Sequence, residues 1–130
     1  MDQLLTIYKA SAGSGKTFAL AVEYILQLLM PRAEHEFEHT LAVTFTNKAT
    51  AEMKGRILET LYGLKHNLPE TQPYMEAIKK STLSGSLSES FIRTQAGKAL
   101  TAILHDYTHF RVETIDSFFQ SVMRNLAREL

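Results

Sequence analysis

The sequence predicts an α/β fold in which a partial parallel sheet carries helices on both faces. A short apolar segment precedes a helical pattern at three places, which are residues 4–9, 40–46 and 110–115. Repeated strand-then-helix units favour parallel pairing with right-handed crossovers. At 130 residues and 45% hydrophobic content, the chain has the size of one domain and enough apolar side chains for a core.

The first unit contains a glycine-rich loop, Ala10-Ser11-Ala12-Gly13-Ser14-Gly15-Lys16-Thr17, between strand 4–9 and a predicted helix over 16–30. Gly13 and Gly15 allow backbone N–H groups to approach a phosphate, and the helix directs its positive end at the anion. Lys16 would reach the β and γ phosphates of a nucleotide, and the Thr17 hydroxyl would bind Mg²⁺. This pattern is typical of a P-loop, although Ala10 stands where the usual pattern begins with glycine. The predicted ligands are ATP and Mg²⁺, and the predicted nucleotide-binding residues are Ala12, Gly13, Ser14, Gly15, Lys16 and Thr17, with Lys16 and Thr17 as the catalytic members.

The second unit ends in polar and aromatic residues, Phe45, Thr46, Asn47 and Lys48, before a helix predicted from Ala49. Ligands of open α/β sheets bind at the carboxyl ends of the strands, so these residues should lie on the same side as the P-loop. Thr46 or Asn47 could also cap the helix, a role that does not exclude ligand contact.

The middle of the chain, residues 58–109, reads as a helical insertion with loops at 67–73 and 81–88 and a helix N-cap near Ser86 or Ser88. It separates the P-loop and second segment, residues 1–57, from a third segment, residues 110–130. Four basic residues of the insertion could meet a phosphate backbone, but we expect them to form a solvated face. These are Lys79, Lys80, Arg93 and Lys98.

Composition excludes several classes of function. Lys plus Arg equals Asp plus Glu at 14 each, so no net charge recruits nucleic acid. Without cysteine there is no disulfide framework, and no apolar run approaches the ~18 residues of a membrane span. We therefore expect a soluble, cytoplasmic protein.

His35-Glu36-x-x-His39 matches a zinc motif, but it lies in a connector too short for the required helix, so a solvated connector is expected.

Three blocks, ASAGSGKT, AVTFTNKATAEMKGRI and VETIDSFFQSVMR, together resemble the first three characteristic segments of UvrD/Rep-type superfamily 1 DNA helicases, in particular the RecB/AddA branch. The resemblance implies a RecA-like P-loop NTPase fold and an ATP-dependent helicase of DNA repair that binds single-stranded DNA. Asp116 departs from the pattern, since histidine is common at that position. By this resemblance the DNA contacts are Phe45, Thr46, Asn47, Lys48, Thr114 and Ser117.

The resemblance also implies parts that this sequence lacks, including the acidic segment that binds Mg²⁺ and a second motor domain. We expect an amino-terminal piece of a longer helicase that does not turn over ATP alone. Because strands from later sequence would normally flank the first strand, we also expect self-association or an altered strand order. Two alternatives stay open, namely a self-contained P-loop phosphotransferase with Asp116 as its acid and a non-catalytic module that binds nucleic acid or a partner through the insertion.

Overall fold

A computed structural model describes residues 14–29, 41–81 and 87–129 of the chain. The predicted first strand at 4–9, Ala12, Gly13 and the histidine motif at 35–39 lie outside these residues. The described elements are helix α1 (Ser14–Leu29), strand β1 (Ala42–Thr44), helix α2 (Asn47–His66), a 3₁₀ turn (Pro69–Thr71), helix α3 (Gln72–Ser81), helix α4 (Glu89–His105), a second 3₁₀ turn (Tyr107–His109), strand β2 (Val112–Thr114) and helix α5 (Ile115–Glu129).

The two strands pair in parallel, as predicted, with Ala42 opposite Val112 and Thr44 opposite Thr114. Both are shorter than the predicted 40–46 and 110–115, since each described strand has three residues. The helices take the remainder, because Thr46 caps α2 and Ile115 already belongs to α5. The described part is thus a helix-rich α/β structure with a small two-stranded sheet, more helical than the predicted fold class implies.

Local sequence signals explain where the helices of the insertion begin and end. Asn67 terminates α2 in the left-handed conformation, φ 56°, and donates its N–H to the carbonyls of Gly63 and Leu64. The predicted loop at 67–73 is too long, because Pro69 starts the 3₁₀ turn and Pro73 lies in the first turn of α3. Proline is tolerated there because the first N–H groups of a helix have no intrahelical partner. Ser88 is the N-cap of α4, as predicted, and accepts a hydrogen bond from Phe91 N–H at 3.1 Å.

The core lies between α1, α2, α3, α4 and the sheet face that carries Ala42 and Val112. Side chains of three helices, Ile25, Ile57 and Ile103, are each 0% exposed. Full burial of such a side chain contributes about 1.5–3 kcal/mol. Because α1 packs into this core against α2, α3 and α4, its position relative to the insertion is fixed by apolar contacts.

A cluster of aromatic rings connects the second 3₁₀ turn to the helices. The Phe110 ring meets Tyr24 edge-on at 5.9 Å and Tyr107 at 5.7 Å between centroids. Lys54 of α2 places its ammonium 5.1 Å from the Tyr107 centroid and 5.8 Å from that of Phe110. Burial raises the pKa of the Tyr24 hydroxyl, and its contacts with Arg111 offset this only in part. The residues leading into β2 are thereby held against α1 and α2.

Helix α5 differs from the others because none of its residues is buried. Phe119, Met123 and Leu126 are 61%, 50% and 55% exposed, at a spacing that places them on one face. Among the described residues, no helix is long and apolar enough to cross a membrane.

Candidate functional site

The predicted phosphate-binding loop leads directly into α1. Helix α1 begins at Ser14, so Gly15, Lys16 and Thr17 occupy its first turn, while Ala12 and Gly13 lie outside the described residues. The first N–H groups of a helix lack intrahelical acceptors and carry partial positive charge, which suits a phosphate. The position of residues 14–17 at the start of α1 is therefore compatible with the predicted nucleotide role. The Thr17 side chain is partly buried there.

The second predicted group lies where β1 turns into α2. Phe45 is 53% exposed, and Thr46, Asn47 and Lys48 are exposed as well. Thr46 has extended backbone angles, φ −134° and ψ 159°, and its hydroxyl accepts a hydrogen bond from Ala49 N–H at 3.0 Å. Thr46 is thus the N-cap of α2, as the sequence suggested, and the helix begins at Asn47 rather than at Ala49.

Threonine hydroxyls fix the geometry of this turn. The Oγ1 atoms of Thr44 and Thr50 are 2.6 Å apart, and Thr50 Oγ1 lies 3.1 Å from the Thr46 carbonyl that it can donate to. Thr44, 1% exposed, also lies within 3.5 Å of the Glu113 carbonyl in the neighbouring strand. The roles of Thr44 and Thr50 were not predicted from the sequence. The signal that could have indicated them is their spacing from the Thr46 cap, because Thr44 lies two residues before it and Thr50 lies one helical turn after it.

The third predicted group lies at the end of β2, which passes into α5 without a connecting residue. Thr114 Oγ1 accepts a hydrogen bond from Ser117 N–H at 3.1 Å, so Thr114 caps α5 in the way that Thr46 caps α2. The Ser117 side chain is exposed. Asp116 is exposed in the first turn of α5, where a carboxylate interacts favourably with the helix dipole.

Parallel pairing brings the second and third groups together. Because Thr44 pairs with Thr114, both strands end at one edge of the sheet, and both α2 and α5 begin there. Two helix N-termini and exposed side chains of both segments therefore share this carboxyl edge. In the same strand, Glu113 accepts from Arg111 at 3.1 Å through Oε2, while its buried Oε1 has no hydrogen-bond partner among the described residues.

The basic residues of the insertion do not join this edge as a group. Glu89 accepts from Lys79 at 2.8 Å and lies 3.7 Å from Arg93, as expected for a solvated face. The Lys79 ammonium lowers the pKa of Glu89, and the carboxylate raises the pKa of Lys79. Among the described residues, no group of His, Asp and Glu is arranged to hold a metal ion.

Comparison with known proteins shows a family and several relatives of this chain. The family model of the UvrD/REP helicase N-terminal domain matches residues 3–130. The chain is 40% identical over 73 residues to RecBCD enzyme subunit RecB of Chlamydia pneumoniae, covering 56% of this chain and 6% of that protein. It is 46% identical over 52 residues to an ATP-dependent helicase/nuclease subunit of Bacillus pumilus, covering 40% of this chain and 4% of that protein.

A longer match, 29% identical over 131 residues, covers 92% of this chain and 10% of RecB from Buchnera aphidicola. The chain thus spans between 4% and 10% of the length of these curated relatives. No solved structure matches it significantly.

Proposed function

This chain belongs to the UvrD/REP helicase N-terminal domain family, and we propose that it forms the nucleotide-binding and DNA-contacting part of an ATP-dependent DNA helicase. Its relatives include proteins named as RecBCD enzyme subunit RecB and others named as ATP-dependent helicase/nuclease subunits, which supports a role in DNA repair. The observation that carries the proposal is the shared carboxyl edge, because it joins two segments that lie far apart in the sequence.

We assign nucleotide binding to Ala12, Gly13, Ser14, Gly15, Lys16 and Thr17, with Mg²⁺ bound to Thr17 and to the nucleotide. The first turn of α1 provides backbone N–H groups for a phosphate, and Lys16 would add a charge-assisted contact. ATP with Mg²⁺ supplies the phosphoryl group whose transfer drives a motor of this family. Within this chain, these residues bind and orient the phosphates, while turnover belongs to the longer protein.

Isothermal titration of the chain with ADP and Mg²⁺ tests this assignment. Lys16→Ala should remove most of the phosphate-dependent affinity for the nucleotide. Lys98→Ala removes the same charge at an exposed position of α4 and should leave this affinity intact. Equal affinity of the wild-type chain and the Lys16 variant would refute the nucleotide site.

Single-stranded DNA is assigned to the carboxyl edge of the sheet, which carries two groups of residues at the ends of neighbouring strands. These are Phe45, Thr46, Asn47 and Lys48 after β1, and Thr114 and Ser117 at the end of β2. Exposed Phe45 offers a ring on which a base can stack, and Lys48 offers a charge for phosphate. The capping roles of Thr46 and Thr114 already engage their hydroxyl oxygens, so these residues shape the edge and direct the neighbouring N–H groups.

Fluorescence anisotropy with labelled oligo(dT) tests the DNA path. Binding should be weak in this chain and should fall steeply with salt, since phosphate contacts dominate. The combined change Phe45→Ala with Lys48→Ala should weaken it, and Tyr62→Ala with Lys98→Ala serves as a matched control away from the edge. An affinity that does not change with salt concentration, or that is unchanged in the variant with Phe45→Ala and Lys48→Ala, would place the DNA elsewhere.

A further inference from the structure

A broad groove of about 1060 Å³ lies outside the candidate site, lined by residues of α2, the first 3₁₀ turn, α3 and α4. It contains none of the residues assigned above to nucleotide or DNA. Gly55 and Gly63 of α2 contribute no side chain to it, and a Cβ added at Gly55 would meet nothing within 4 Å. The open volume therefore follows from the sequence of α2.

The charge that lines this groove is acidic. Of the charged residues that line it within the described part of the chain, three are carboxylates, Glu52, Glu59 and Glu70, and one is a cation, Arg56. Arg56 donates to the Tyr74 hydroxyl at 2.9 Å, which turns its guanidinium toward the wall. Within the described ranges, none of the three carboxylates forms an ion pair. The groove thus offers unpaired negative charge in a chain of zero net charge.

Apolar side chains adjoin these carboxylates. Tyr62 and Leu104 line the groove and are 53% and 60% exposed, and Leu58 and Leu100 line it while packing on the core. Single exposed apolar residues are ordinary, but two exposed and two partly buried apolar side chains in one concave surface mark a surface suited to a partner. From Glu52 to Gly63 the groove follows α2 for about 17 Å, a length of about three helical turns.

We propose that this groove docks a basic amphipathic helix of a partner protein, with apolar residues against Leu58, Tyr62 and Leu104 and with Lys or Arg beside the carboxylates. Charge complementarity selects this occupant, because three unpaired carboxylates repel a phosphate backbone and a small cation would leave the apolar wall uncovered. Helix α5 of a second copy does not fit, since its two acids, Asp116 and Glu129, balance its two bases, Arg124 and Arg128.

The probe for this proposal is a fluorescein-labelled helical peptide of leucine and lysine, measured by anisotropy against the whole chain. The wild-type chain should bind it, and Glu59→Gln with Glu70→Gln should weaken binding roughly tenfold, as expected from the loss of two exposed ion pairs. Glu76→Gln with Glu129→Gln removes the same charge outside the groove and should leave binding unchanged.

A second variant tests the site by shape. Gly55→Met places a good helix former where nothing lies within 4 Å of the new Cβ, so the fold should be retained while the side chain obstructs the middle of the groove and weakens peptide binding. Unchanged binding in this variant would overturn the proposal. If both double Glu→Gln variants weakened binding equally, the attraction would be nonspecific and the proposal would be wrong. Equally tight binding of a leucine–glutamine peptide or of oligo(dT) would also overturn the proposal.

Discussion

Replacing Gly63 by alanine should destabilise the protein, although glycine is itself a poor helix former. In an open helical site the exchange to alanine contributes about 1 kcal/mol of stability. At Gly63, however, the new Cβ would overlap Thr71 Cγ2 and lie 3.0 Å from Oγ1 and 3.1 Å from Cβ of the same residue. Rotation of the Thr71 side chain would break the hydrogen bond from its Oγ1 to the Leu68 carbonyl and would still leave its Cβ 3.1 Å from the new atom.

The backbone cannot withdraw easily either. Leu68 N–H donates to the Gly63 carbonyl at 2.9 Å, and Thr71 Oγ1 donates to the Leu68 carbonyl at 2.9 Å. Overpacking of this kind costs about 1–3 kcal/mol. After about 1 kcal/mol of this cost is offset by the gain in helix propensity, Gly63→Ala should be destabilising by up to about 2 kcal/mol.

Gly55 and Gly97 provide the same exchange in other surroundings. Gly55→Ala has open space and should stabilise by up to about 1 kcal/mol. Gly97→Ala would meet the flexible stem of Lys65 at 3.3–3.5 Å and should fall between the other two. From the most to the least stable variant, the expected order is therefore Gly55→Ala, Gly97→Ala and Gly63→Ala.

Urea unfolding followed by helical circular dichroism measures the series. The two variants share the gain in helix propensity and differ by the overpacking cost, so with a denaturant slope of about 1–3 kcal/mol/M their midpoints should differ by about 1 M. Adding Thr71→Ser to Gly63→Ala removes Cγ2 and should restore part of the loss. Equal midpoints for the Gly55 and Gly63 variants would refute the steric argument.

Three further predictions concern other contacts. Thr46→Ala should lower stability by about 1 kcal/mol in thermal unfolding, whereas Thr46→Asn, which keeps a capping oxygen, should change it little. The pKa of Glu89 is lowered and that of Lys79 is raised, so the ion pair contributes its full stabilisation at pH values between the ordinary pKa values of 4.5 and 10.5. This stabilisation is lost as the pH falls through the folded-state pKa of Glu89 or rises through that of Lys79. Glu89→Gln should therefore reduce the melting temperature near neutral pH and leave it unchanged at strongly acidic pH. Lys54→Met, which removes the cation above two rings, should cost about 0.5–1 kcal/mol, whereas Lys98→Met on an exposed face should not.

The sequence was most informative where one residue type serves one local purpose. The sequence predicts a helix cap at Thr46 or Asn47 and another near Ser86 or Ser88, because short polar side chains before a helix satisfy its free N–H groups, and in the structure the caps are Thr46 and Ser88. Parallel pairing was also predicted correctly, from the repeated strand-then-helix order. The blocks around the P-loop, Phe45 and Ser117 identified the family that the comparison confirms.

Features that depend on contacts between distant segments were not predictable. Nothing in the pattern around Gly63 indicated that Thr71 would lie against it, since the contact requires the turn at Pro69. The acidic groove was missed for the same reason, because Glu52 and Glu70 become neighbours only after folding.

Helix α2 is a single rod of 20 residues, about 30 Å long, that starts at the carboxyl edge of the sheet and ends beside the groove. Buried Met53, Ile57 and Leu61 pack it against the core along its length, which opposes bending within the helix. A tilt of about 5° at the Thr46 cap would displace its far end by about 3 Å. A tilt of this kind would couple the sheet edge to the insertion, and by reciprocity a partner that held the insertion would in turn change the geometry of that edge.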